Sequence, residues 1–232
     1  MTENNGRNEG AAKSESRLRI DVHCHLMPLD RAGGCVVSDR VRNGYVFRLM
    51  RLWYGRGTGD DAEFDRKMEE LLASQVRESE MTDRAVALAM DGVYDSSGRL
   101  DIAATHVYVP NDHIIEVSKR HREILIGASV NPDRADAIDE LERVKAAGAV
   151  LIKLVPNSQG CDLSDRRHIP YFKKLVELNL PLLSHTGYEH CIPSVDQMLG
   201  DPRLFQNALD EGVKVIAGHC GCSSKPKSPG AR

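Results

Sequence analysis

The sequence predicts an α/β fold of the (β/α)8 TIM-barrel type, with about six of the eight strand-helix units present. Apolar strands alternate with amphipathic helices over short joins, a pattern typical of parallel strands with helices outside them. Polar residues, including Lys153, His185 and His219, collect at the C-terminal ends of the predicted strands. These ends converge on one axis in a barrel, which favours it over a doubly wound sheet. No Gly-x-Gly-x-x-Gly turn follows the first strand, as a doubly wound dinucleotide-binding sheet would require.

Composition narrows the class of protein. The chain has 232 residues, is 41% hydrophobic and carries a formal net charge of −3. This near balance of charge argues against nucleic acid or an anionic membrane as the partner, and no stretch is long enough to span a membrane. Six cysteines without the spacing of a disulfide scaffold indicate reduced thiols. We therefore expect a cytoplasmic protein that acts on a small molecule.

The first predicted strand covers residues 18–25, in which polar and apolar residues alternate. Alternation puts His23 and His25 on one face and Cys24 on the other. Two neutral imidazoles on one face can offer lone pairs to a single cation. Two polar residues near a strand end are the plainer interpretation, and the metal site gains support from histidines that end later strands.

The remaining elements follow in order along the chain. Apolar runs predict strands at 85–90, 124–130, 150–155, 182–185 and 213–219. Apolar residues at helical spacing predict helices around 64–76, 112–122, 138–144, 172–176 and 204–209. We expect the residues Asn131-Pro-Asp133 to cap the third of these helices, which Gly148 ends.

The number of predicted strand-helix units sets the expected domain limits and indicates that two units are missing. We expect tails at 1–16 and 222–232, a partial barrel over 17–221, and a long insertion at about 27–84. The later strands begin about 32 residues apart, so two further units would need about 60 residues. Only Cys220 to Arg232 remain after the sixth strand, and we therefore expect the chain to be truncated. The open barrel would leave two unpaired strand edges, which invite association with a second copy.

Four segments carry a family resemblance. They are Asp21-Val-His-Cys-His25, Ile152-Lys-Leu154, Leu183-Ser-His-Thr-Gly187 and Val215-Ile-Ala-Gly-His-Cys-Gly221. Together they resemble the amidohydrolase superfamily, in particular its amidohydrolase-2 branch, which includes aminocarboxymuconate-semialdehyde decarboxylase and related metal-dependent hydrolases. The resemblance runs from about residue 17 to residue 221.

The resemblance implies a metal centre. It assigns His23, His25 and His185 as ligands of a divalent metal, for which we expect zinc with one open position for water. It makes His219 a catalytic group beside the metal water, whereas in two-metal relatives the matching histidine is a ligand. Lys153 could carry a bridging carbamate in such relatives, but we favour pairing with a substrate carboxylate or with Asp21, and therefore a mononuclear site.

Other polar residues are assigned more simply. Glu189 and His190 lie in a loop after the fifth predicted strand, where substrate contacts are expected, although a plain surface loop is the alternative. We interpret the histidines outside the motifs as ordinary: His106, His113, His121 and His168. A zinc-thiolate site at Cys220 and Cys222 is disfavoured, because Cys220 faces away from His219.

These assignments lead to three functional hypotheses. The first is a hydrolase in which a zinc-activated water attacks an amide, ester or lactone carbonyl. The second is a non-oxidative decarboxylase that uses the same site. The third is a catalytically inert fragment, because the family's last strand supplies a metal-binding aspartate for which the chain has no strand. Asp21 and Asp91 come too early in the strand order to replace it.

Overall fold

A computed structural model describes residues 18–221 of the chain. Its strands are β1 (Ile20–His25), β2 (Val36–Val37), β3 (Arg84–Leu88), β4 (Val107–Tyr108), β5 (Ile124–Ala128), β6 (Leu151–Leu154), β7 (Leu182–His185) and β8 (Val215–Gly218). Six of them form one parallel sheet in the order β1-β3-β5-β6-β7-β8, while β2 and β4 form an antiparallel pair. The six strands curl into an incomplete barrel with helices between them, which confirms the predicted fold class.

The α-helices follow the chain between these strands. They are α1 (Asp39–Arg42), α2 (Tyr45–Tyr54), α3 (Asp61–Arg77), α4 (Asn111–Arg120), α5 (Ala137–Ala146), α6 (Pro156–Gln159), α7 (Ile169–Glu177) and α8 (Gln206–Asp210). Short 3-10 turns cover Arg31–Gly33, Arg166–His168, Gln197–Gly200, Pro202–Phe205 and His219–Gly221. The predicted last helix is therefore split, because its first turn at Pro202 is a 3-10 turn that leads into α8.

The core lies on both faces of the sheet. Helix α3 begins where the carboxylate of Asp60 accepts a hydrogen bond from the amide of Glu63, and it buries Phe64 and Val76 as its apolar stripe predicts. A smaller layer of Val86, Leu88, Leu151 and Leu183 fills the inside of the half-barrel. This inner layer is the floor beneath the polar ends of the strands.

Two sequence-based expectations need correction or completion. Asn131 does not cap α5, which begins only at Ala137. The side-chain amide of Asn131 instead donates to the carbonyl oxygens of Gly92 and Gln159. The small sheet of β2 and β4 was not predicted, because two-residue strands are too short to show a period.

Several expectations about extent stay open. The expected tails at 1–16 and 222–232 lie outside the described residues. The domain limits remain predictions. Within residues 18–221, no helix has the length and apolar character needed to cross a membrane.

Candidate metal and catalytic site

Four histidines from three strand ends lie together at the C-terminal edge of the sheet. The ring centres of His23 and His25 are 5.1 Å apart, those of His23 and His219 are 5.2 Å apart, and those of His185 and His219 are 4.8 Å apart. Two imidazoles bound to one tetrahedral ion, with each nitrogen about 2.1 Å from it, have ring centres about 5 Å apart. The spacing therefore matches residues that can share a cation, and His219 stands between His23 and His185.

Strand register sets this spacing. Gly218 of β8 pairs with His185 of β7, and a Cβ atom at Gly218 would lie 3.1 Å from the carbonyl oxygen of Ser184 and 3.6 Å from Cε1 of His23. The first of these contacts is tight, whereas the second is an ordinary van der Waals distance. The end of β8 thus packs closely against β7 and lies within contact distance of the His23 ring from β1.

The turn that carries His219 is strained and clamped. His219 and Cys220 have φ values of 64° and 52°, in the left-handed region that residues with a Cβ atom rarely adopt. The buried Thr186 hydroxyl donates to the carbonyl of Gly218 and accepts from the amide of Gly221, each at 2.6 Å. Thr186 thus ties the end of β7 to both sides of this turn.

Lys153 lies inside the half-barrel and is only 1% exposed. Its Nζ is 3.3 Å from Nε2 of His23. Burial lowers the pKa of Lys153 to about 8, an effect that Glu189 partly opposes. Its contact is thus with an imidazole and not with Asp21, whose carboxylate accepts a hydrogen bond from the backbone amide of His23; the pairing with a substrate carboxylate stays a prediction.

Three of the clustered histidines, His23, His25 and His185, are uncharged at neutral pH. Burial, followed by the charges of Lys153 and His219, lowers the pKa of His23 to about 4. Loss of solvation and then Lys153 lower the pKa of His25 in the same direction, although its side chain is exposed at the open edge of the sheet. Burial likewise lowers the pKa of His185. Neutral imidazoles keep the lone pairs that a metal needs.

His185 gives the clearest sign of an unmet bond. Its Nδ1 lies 3.4 Å from Oε2 of Glu189, whereas its buried Nε2 has no hydrogen-bond partner among the described residues. Buried polar atoms are rarely left unpaired, and a cation would satisfy this one. The donor set therefore fits a divalent metal.

The side chains of the proposed ligands do not form a complete coordination shell in the described residues. Over residues 18–221, no three His, Cys, Asp or Glu side chains form a group that could hold a metal ion as they stand. One cause is visible in the contacts, because Nε2 of His23 faces the ammonium group of Lys153. Metal binding would therefore require His23 to change partner.

A cavity of about 250 Å³ opens onto the histidines. Its polar lining consists of the four histidines, Lys153 and Glu189. The rest of its lining is apolar apart from one thiol: Leu26, Met27, Leu88, Met90, Val107, Val109, Val155, Cys191 and Ile192. Such a cavity suits a small, largely apolar molecule that presents one polar group to the histidines.

The cavity brings together some predicted residues and adds others. Glu189 lines it, whereas His190 is not one of its described lining residues, and its predicted substrate contact stays a prediction. The strand β4 contributes Val107, which sequence reasoning missed because β4 is so short. Cys220 is exposed, and Cys222 lies outside the described residues.

His168 and Asp91 have hydrogen-bond partners away from the histidine cluster. His168 is buried between the carbonyl of Asp162 and the carboxylate of Asp133, each at 2.9 Å. Asp91 accepts hydrogen bonds from Tyr94 and from the amide of Asn131, among other donors. These contacts account for both side chains without a role at the cavity.

Comparison with known proteins gives one family and several solved structures. The model of the family described as Amidohydrolase matches residues 20–231. No curated protein matches the chain significantly. A 5-carboxyvanillate decarboxylase from Novosphingobium aromaticivorans, with bound manganese, is 16% identical over 86% of this chain and 56% of its own, with a TM-score of 0.42.

Two further solved structures are similar to the chain. An amidohydrolase from Mycobacterium avium subsp. paratuberculosis is 15% identical over 72% of this chain and 54% of its own, with a TM-score of 0.37. The IDCase of Metarhizium anisopliae, in apo form, is 13% identical over 89% of this chain and 66% of its own, with a TM-score of 0.43. The chain thus spans between about half and two thirds of the length of the structures described here.

Proposed function

Because the chain belongs to the amidohydrolase family, whose enzymes are metal-dependent, we propose that it is a hydrolase of a small carbonyl substrate. The observation that carries this proposal is the cluster of histidines at three strand ends, with Nε2 of His185 buried and unpaired in the described part of the chain. The cluster opens onto a cavity of the size that a small molecule needs.

We assign His23, His25 and His185 as the residues that hold one divalent cation, which we expect to be zinc. When bound, such a cation lowers the pKa of a water molecule and polarises a carbonyl group. The three side chains support this assignment because they are neutral at neutral pH. His23 gives up its contact with Lys153 to take this role.

His219 is the proposed general base and acid. Its ring lies against those of His23 and His185, and the clamped turn fixes its backbone. An imidazole so placed accepts a proton from the attacking water and returns it to the leaving group.

Lys153 and the apolar walls define the substrate class. A buried ammonium whose close polar contact in the described part of the chain is an imidazole gains from an anionic partner. The proposed substrate is therefore a small carboxylate with an apolar body and an amide, ester or lactone carbonyl.

Non-oxidative decarboxylation is the second candidate. It needs a proton donor and a site for the departing carboxylate, but no attacking water. Glu189 is the one carboxylate residue that lines the cavity among the described residues, and both of its side-chain oxygens already have partners. A cavity whose described lining holds no unpartnered carboxylate favours this chemistry. The bond to the carboxylate breaks, carbon dioxide leaves, and the imidazolium form of His219 gives its proton to the carbon and regains one from water.

One assay separates the two reactions. Protein reconstituted with zinc or manganese is offered aryl lactones and arylcarboxylates, and acid release and carbon dioxide release are followed in parallel. Hydrolysis yields acid without carbon dioxide, whereas decarboxylation yields carbon dioxide. His23→Ala should abolish either reaction, while His106→Ala, a histidine bonded to Ser38 outside the site, should not. Protein that binds metal but turns over neither substrate class would contradict both candidates.

A further inference from the structure

We infer that Glu189 is a positioning residue for His185: its carboxylate lies beside Nδ1, favours the tautomer that carries the proton on this atom, and leaves the Nε2 lone pair free to face the cavity. Sequence reasoning placed Glu189 among substrate contacts. The inference rests on the proposed function, because it concerns an imidazole assigned as a metal ligand. It adds a residue whose effect on the metal passes through another side chain.

The carboxylate of Glu189 is already committed on both oxygens. Oε2 faces Nδ1 of His185 at 3.4 Å, and the two side chains are only 11% and 8% exposed. Oε1 accepts hydrogen bonds from the backbone amides of Cys191 at 2.5 Å and Ile192 at 3.0 Å. Little acceptor capacity remains for a substrate, and a second anion here would be repelled.

The backbone of Glu189 is fixed as firmly as its side chain. The amide of Glu189 donates to Oε1 of Gln197 at 2.8 Å, and Nε2 of Gln197 donates to the carbonyl of Glu189 at 2.7 Å. A carboxylate held from both ends presents its charge at a constant place. Such preorganisation is what orients a metal-ligating histidine from outside the ligand shell.

The tautomer of His185 follows by elimination. The imidazole makes a backbone hydrogen bond with Tyr188, and Nε2 has no partner among the described residues, so this bond belongs to Nδ1. Nδ1 also faces the Glu189 carboxylate, which can only accept, so Nδ1 carries the proton; the charge of Glu189 lies beside this N–H group and favours the same tautomer as the bond to Tyr188. A negative charge there makes Nε2 a stronger ligand, and partners of this kind change metal affinity by about 10- to 100-fold.

The test uses Glu189→Ala and Glu189→Gln, with Glu116→Gln as a control at an exposed glutamate paired with Lys119. Metal-free protein is titrated with Co²⁺, and long-range ¹H–¹⁵N spectra of the same protein report the tautomer of His185. We expect Glu189→Ala to weaken Co²⁺ binding about 10-fold or more and to raise the population of the Nε2–H tautomer. Glu189→Gln keeps an acceptor but loses the charge, so its effect should be smaller. The control should bind like the wild type.

The outcomes separate this inference from the proposed function. A wild type that binds no Co²⁺ overturns the metal site, and the tautomer spectra alone then decide the role of Glu189. Wild-type affinity and an unchanged tautomer in both Glu189 variants would overturn the positioning role. If near-UV circular dichroism shows that Glu189→Ala is unfolded, the isosteric Glu189→Gln decides in its place.

Discussion

Replacing Thr186 with valine should both destabilise the fold and release the turn that carries His219. Thr186 is fully buried, and its hydroxyl bonds the carbonyl of Gly218 and the amide of Gly221, each at 2.6 Å. Valine has the same shape but no hydroxyl. The Thr186→Val variant therefore removes two hydrogen bonds and opens no cavity.

The size of the effect follows from which atoms lose a partner. The carbonyl of Gly218 keeps a second hydrogen bond, from the amide of residue 186 at 3.1 Å, so the loss falls on the amide of Gly221. A buried donor left unpaired costs about 1–3 kcal/mol. The left-handed residues His219 and Cys220 each add strain of about 1 kcal/mol, which the freed turn can relax by moving.

We therefore expect the free energy of unfolding in urea to fall by about 1–3 kcal/mol and turnover to fall roughly 10-fold or more as His219 shifts. Thr105→Val is the matched control. Thr105 is also buried, donates to the carbonyl of Asp101 and accepts from the amide of Val93, at 2.7 and 3.0 Å. It should lose similar stability and keep its activity. Equal activity in the two variants would refute the role of the clamp.

Three further predictions test other parts of the account. Lys153→Met should fold without loss of stability, because an apolar side chain replaces a buried ammonium. It should raise KM for carboxylate substrates about 10-fold, and an unchanged KM would contradict the assigned role of Lys153. Asp91→Ala removes the acceptor of the Tyr94 hydroxyl and of the buried Asn131 amide, while Arg134 keeps its pair with Asp136. It should lower the free energy of unfolding in urea by about 1–3 kcal/mol, and an unchanged value would contradict the role of these bonds. Hydrogen bonds from the Ser97 hydroxyl and then the backbone lower the pKa of Asp95 to about 2, so the stability from this turn is present above the ordinary carboxyl value and is lost as the pH falls toward 2. An NMR titration of Asp95 at the ordinary value would contradict this.

The parallel sheet could be predicted because its strands leave a plain signal. The bounds of β7 match the predicted 182–185, since a short apolar run lies between Pro181 and the polar turn after His185. The common direction of His23 and His25 follows from alternation alone. Which residues face the inside of the sheet depends on alternation between neighbouring residues, so the sequence alone can predict it.

What the sequence could not reveal depends on contacts between distant residues. The contact of Lys153 with His23 joins strands 130 residues apart, and neither residue type indicates the other. The left-handed turn at His219 has no glycine at the strained position to announce it. Val107 of β4, which pairs with β2, and Val109, which forms an isolated bridge with Met90, line the cavity through pairings that no local pattern predicts.

The most direct test of the central claim is the metal content of the purified protein. After reconstitution with zinc and removal of excess metal, elemental analysis should give about one ion per chain for the wild type and for His106→Ala. His185→Ala should bind almost none, because it removes the buried Nε2 that has no partner in the described structure. Full zinc content in His185→Ala, or none in the wild type, would contradict the account.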